Sequence, residues 1–161
     1  MITIIIIGIL SLMGISMSMT TQKKGRDVKR KADLFTVVKA LESYMNDYST
    51  YPPSTDGKIL WCGIDQEDAC EWGEPLIKET TDVDTEGNPI STVYMTSLPK
   101  DTNSFQSYFY EFVEPNGYRL YARLENEKDP DWYQYATNCS TDATPRNCTY
   151  VITSEAVSNP I

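Results

Sequence analysis

The sequence predicts an α+β protein, with one long N-terminal helix, apolar and then amphipathic, packed on a small antiparallel β-sheet head. Three observations lead to this class. An uncharged stretch at 2–19 runs into a charged, helically periodic stretch, with no proline before Pro52. Two aromatic-rich runs, FQSYFYEFV (105–113) and GYRLYARLE (117–125), flank the turn signal EPNG. Four cysteines fall as two local pairs. At 161 residues the chain is long enough for one domain and short for two.

The helix comes first. The uncharged run would be roughly 27 Å long as a helix, close to the ~30 Å hydrocarbon core of a bilayer. It is longer than the apolar region of a signal peptide. No basic segment precedes it and no small-residue cleavage site follows, so a retained apolar helix is expected. Beyond it, Leu34, Val37, Val38, Leu41, Tyr44, Met45 and Tyr48 recur every three or four residues. The expected layout is a hydrophobic half-helix at 2–24, an amphipathic half at 25–52 and a head at 53–161. One helix from about residue 2 to about 49, ended by YSTYPPS, would be roughly 70 Å long.

In the head, 54–91 reads as a long irregular connection and TVYMTSL (92–98) as a short strand. The two aromatic runs read as a hairpin. Tyr118, Leu120, Ala122 and Leu124 would face the core, with Arg119, Tyr121 and Arg123 towards water. Residues 126–161 read as a polar tail over the sheet. The eleven tyrosines and three tryptophans are expected in the core and in cross-strand pairs rather than on a sugar-binding face.

The net charge of −9 is unevenly spread. Residues 1–31 hold six basic residues against one acid, a net +5; the remainder holds eight basic and 22 acidic residues, a net −14. A basic collar (Lys23, Lys24, Arg26, Lys29, Arg30, Lys31) therefore sits beneath an acidic head. The collar could touch anionic headgroups, or meet the acidic head of another copy. The head itself is poorly suited to nucleic acid.

Cys62, Cys70, Cys139 and Cys148 have no C-x-x-C spacing and the chain has no histidine, so a zinc site would need all four thiolates. Of the three connectivities four cysteines allow, the local bridges Cys62–Cys70 and Cys139–Cys148 are expected. They place the head outside the reducing cytosol. The collar argues the other way, since basic residues after a span ordinarily stay cytoplasmic.

Without histidine and with paired cysteines, no catalytic constellation stands out, and an enzyme is not expected. No cofactor is required. Calcium is the ion to test: Asp82, Asp84 and Glu86 alternate before Gly87 in DVDTEGN. A full calcium loop fails there, because its twelfth position is Val93. NEKDPDW (126–132) is a second acidic loop of this kind.

IIIIGIL (4–10), GRDVKRKADLFTVVKALESYMNDYSTYP (25–52) and YFYEFVEPNGYRLYARLEN (108–126) together resemble type IV pilins and type II secretion pseudopilins. The likeness is strong over 2–52, extends to about 130, and does not reach the tail. It implies a precursor with a short basic leader, removed by a prepilin peptidase that also methylates the new N-terminus. Such a leader would settle the orientation conflict. It also implies a single-pass membrane protein with an extracytoplasmic head, which then joins a helical homo-oligomeric filament at the cell surface. Minor pilins and an assembly platform in the membrane would be its partners. The filament core would take Ile4, Ile5, Ile6, Ile7, Gly8, Ile9, Leu10, Leu12, Gly14 and Ile15.

Two departures stand out. The early glutamate of the family is absent, and aligning on Gly8 or on Tyr51–Pro52 puts Met1 about six residues inside the family's mature N-terminus, as a misplaced start would. The proline that many pilins carry after the glycine matching Gly8 is also missing, which leaves Gly14, Ser16 and Ser18 to loosen the helix. The expected function is a structural filament subunit. A pseudopilin of a secretion or DNA-uptake machine is the near alternative. A monomeric membrane-tethered extracytoplasmic binding domain is the alternative of another class.

Overall fold

A computed structural model describes residues 20–62, 68–80, 82–87 and 90–160 in full, and the backbone alone of 2–19, 81 and 89. Helix α1 runs over Ile2–Tyr48. Its end is local chemistry: Ser49 turns left-handed at φ 57°, its N–H donates to the Met45 carbonyl at 2.8 Å, and Pro52 and Pro53 forbid continuation. The side chains from Ile4 to Ile15 expected in a filament core lie outside the described residues. Among the described residues, no helix is long and apolar enough to cross a membrane.

The amphipathic stripe packs on the head as its period requires. Leu34, Val37, Ala40, Leu41 and Tyr44 are buried, and the stripe continues towards the N-terminus with Arg30 and Asp27. Each fully buried leucine contributes about 2 kcal/mol by removal of apolar surface from water.

Among the described residues the head holds three antiparallel sheets. β1 (Ser54–Thr55), β2 (Lys58–Leu60) and β3 (Ala69–Cys70) form one; β4 (Leu76–Val83) and β5 (Pro89–Met95) form a two-stranded ribbon. β6 (Phe109–Val113), β7 (Gly117–Ala122) and β8 (Tyr150–Thr153) form the third, with β7 central. The expected hairpin is β6–β7, closing at the pair Val113↔Gly117. Asn116 in its turn also grips the end of α1, accepting from the Tyr51 N–H at 3.0 Å and donating to the Ser49 carbonyl at 3.2 Å.

Three expectations are corrected. The stretch 54–91 is not irregular: it holds β1 to β4 and the start of β5. Its shortest strands pair across the left-handed turn at Asp56 and Gly57 (φ 47° and 78°), and Gly57 accepts the Tyr110 N–H at 2.9 Å. A side chain at Gly57 would collide with the Phe109 ring. The tail is not merely draped over the sheet, because β8 completes it from Arg119↔Thr153 to Ala122↔Tyr150.

Finally, Tyr121 does not face water. Tyr118, Leu120, Ala122 and Leu124 point to the helix as expected, but Tyr121 is 2% exposed on the opposite face. There it packs with Cys139, Cys148, Phe109, Tyr135 and Val151. The second disulfide loop covers that face, so β7 is buried on both sides and strict alternation disappears.

Candidate functional site

The interior contact between helix and head is where the chemistry of the chain concentrates. Two successive turns of α1 supply Arg26, Asp27, Arg30 and Lys31, all from the basic collar. Arg30 is 1% exposed. Its Nε and Nη2 donate to Asp101 at 2.7 and 2.9 Å, Nη1 to Asp27 at 2.8 Å, and Nη2 also to the Gln106 side-chain carbonyl at 3.0 Å. Glu125 lies 2.9 Å from Nη1 and takes two further bonds from Arg26. Asp27 closes the circuit by accepting the backbone N–H groups of Glu125 and Asn126 at 2.9 and 2.8 Å.

Burial opposes the charge on Arg30, but the hydrogen bonds it donates to Asp101, Glu125 and Asp27 outweigh it and raise its pKa. The Arg26 hydrogen bond, aided by Arg30, lowers Glu125 to about 2. A charge held this way needs every partner, since a lone buried ion costs several kcal/mol.

Lys31 reaches the loop after β7. Its ammonium sits 2.6 Å from Asp129 and 2.8 Å from Asp131, and 5.2 Å from the centre of the Tyr150 ring. The acidic loop NEKDPDW thus holds a cation already, supplied by the helix. Further along α1 the polarity reverses, and helix carboxylates accept phenols from the head. Tyr108 donates to Asp33 at 2.7 Å and Tyr94 to Asp47 at 2.7 Å, while Tyr51 and Tyr118 both donate to Glu42. Burial and the Asp33 bond together push the Tyr108 phenol up.

The collar was read as a partner for headgroups or for another copy. Arg26, Arg30 and Lys31 instead bind this chain's own head. Nothing in their sequence context separates them from Lys23, Lys24 and Lys29; only their angular position on the helix does.

Both expected disulfides are present, with Cα atoms 5.4 Å apart for Cys62–Cys70 and 5.1 Å for Cys139–Cys148. Asp82 near the end of β4, and Asp84 and Glu86 in the β4–β5 turn, stand exposed, and an Asp84 carboxylate oxygen accepts the Glu86 N–H at 2.8 Å. Among the described residues, no group of three or more acidic or cysteine side chains is placed to hold a metal ion.

Two surface features went unanticipated. A cleft of about 1170 Å³ opens between the first sheet and the loops at 101–108 and 138–141, over Trp72 and Tyr108 and between Lys58, Glu71, Lys100 and Ser140. Apolar side chains also stand out from the surface: Val28 and Phe35 on the outer helix face, and Val83, Ile90 and Val93 on the β4–β5 ribbon. The spacing of Val28 and Phe35, one heptad apart, was the available signal. Comparison with profiles of known families, with curated proteins and with solved structures finds no match to this chain.

Proposed function

We propose that the chain is a structural subunit that polymerises through its N-terminal helix into a type IV pilus-like filament. The observation that carries this reading is the division of labour along α1. Its second half is fastened into a disulfide-bearing head by apolar packing, two arginines and a lysine. Its first half has a sequence with no charge from 2 to 19, which needs an apolar environment that the acidic head does not offer. A filament core built from many such half-helices provides one; so does the membrane before assembly. The uninterrupted helix suits a rigid stalk better than a flexible tether.

The test is mass spectrometry of the N-terminal peptide in filaments sheared from native cells. An N-methylated peptide that begins upstream of Met1 and contains an early glutamate supports a processed pilin. Material confined to the membrane fraction, with no filaments, refutes the reading. In the same cells, Gly8→Asp or Ile9→Asp should abolish filaments while the head still folds.

The cleft beside Trp72 favours the second reading, a membrane-tethered binding domain. That reading requires the chain to remain a single copy in the membrane and the cleft to take up a ligand there. Filaments carrying the chain would exclude it.

A further inference from the structure

The outer face of α1 and the β4–β5 ribbon carry complementary surfaces that one molecule cannot bring together. On the helix, Lys24, Val28, Ala32, Phe35 and Lys39 are all exposed and follow one another at four, four, three and four residues. They form a stripe about 22 Å long, half a turn round from Leu34, Val37 and Leu41. Val28 is 67% and Phe35 55% exposed.

On the ribbon, Val83 is 56% and Val93 51% exposed. Val83 pairs with position 89, and 93 lies four residues further along the same strand, so both valines stand on one face about 13 Å apart. Val28 and Phe35 are about 10 Å apart along the helix. Beyond Val83 the turn carries Asp84 and Glu86, both exposed.

The ribbon's other face is already used. Tyr94 packs 5.1 Å from Tyr44, ring to ring, and its hydroxyl donates to Asp47. The valine face therefore points away from its own helix, where a second molecule can reach it.

We infer that the valine face of the β4–β5 ribbon docks on the Lys24–Lys39 stripe of a second copy of this chain. Val83 lies over Val28, Val93 over Phe35, and the acidic turn lies towards Lys24. Charge sets that direction. Lys23 stands exposed beside Lys24, whereas beyond Lys39 at the other end the exposed Glu42 and Asp47 would repel the turn. The contact joins two different surfaces, so each copy keeps one of each free and the assembly is open-ended. This inference rests on the filament reading and names the surface through which neighbouring heads would hold one another.

The test uses the full chain in its native cells. Lys24→Glu alone and Glu86→Lys alone should each reduce sheared filaments about tenfold, and the combination should restore most of the loss. Independently, cells co-expressing one copy with Phe35→Cys and another with Val93→Cys should yield a disulfide-linked dimer that neither variant gives alone. Undiminished filaments in the single charge variants, no rescue in the combination, or no mixed dimer would overturn the contact while wild-type filaments stand. Absence of wild-type filaments would overturn both the contact and the filament reading.

Discussion

Arg30 on the helix and Asp101 in the loop after β5 form a two-pronged ion pair, 2.7 and 2.9 Å long, with 1% of either side chain exposed. Such a pair joins elements 71 residues apart and leaves neither charge a route to water. Its worth lies in its completeness, because the desolvation of both ions is offset only while each has the other.

Arg30→Met should therefore destabilise the head by about 3–5 kcal/mol, since it strands Asp101 and Asp27. Arg26→Met should cost markedly less, because 37% of the Arg26 side chain faces solvent. Urea midpoints of the two variants, compared at equal slope, decide the order.

Glu125 gives the acid side of the stability profile. Its folded pKa is lowered from 4.5 to about 2, first by the Arg26 bond and then by Arg30. A lowered carboxylate stabilises the fold above its unfolded pKa, and that contribution fades as pH falls from about 4.5 to about 2. Glu125→Gln should flatten this part of the curve, read from unfolding midpoints across that range.

On the alkaline side the sign is opposite. Burial, with Glu42 beside one and Glu111 beside the other, pushes Tyr51 and Tyr121 up from 10.0 to about 12. A phenol whose folded pKa is raised stabilises below its unfolded pKa, and the contribution is lost as pH climbs from 10.0 to about 12. Tyrosinate absorbance should appear late and together with unfolding in the wild type, and Tyr51→Phe should reduce the loss.

Tyr44 offers a gain. Its hydroxyl is buried with no hydrogen-bond partner among the described residues, between the rings of Tyr48 and Tyr94. Tyr44→Phe should be neutral or stabilising by up to about 1 kcal/mol, because it removes an unmet polar group and keeps the ring. A lower melting temperature would show that the hydroxyl has a partner after all.

The two disulfides should differ in kind. Each closes a short loop and can contribute at most about 3 kcal/mol through chain entropy. Cys139–Cys148 also forms the apolar cover over Tyr121, whereas Cys62 stands half-buried at the rim of the first sheet. Cys139→Ser with Cys148→Ser should cost more than Cys62→Ser with Cys70→Ser in thermal unfolding.

Periodicity made the helix and the β6–β7 hairpin readable in advance, because both are local: a stripe every three or four residues, and a turn between two aromatic runs. The cysteine pairs were readable for the same reason. β1, β2 and β3 are two or three residues long, and what makes them strands is their neighbours, which no window of sequence contains. β8 hides in TYVIT, a short apolar run that pairs 28 to 34 residues back along the chain. Tyr121 broke its pattern because the cover comes from Cys139 and Cys148. Arg30 was the hardest to foresee: a charged residue in a charged run reads as solvated, and its burial depends on Asp101, far along the chain.

Lys31 between Asp129 and Asp131 has a consequence for the chain's surroundings. An acidic loop ordered by a dissolved divalent ion loosens when that ion is scarce or chelated. Here the neutralising charge is covalently part of the helix and is present at fixed stoichiometry wherever the chain goes. The order of this loop is thereby tied to whether the helix stays seated against the head.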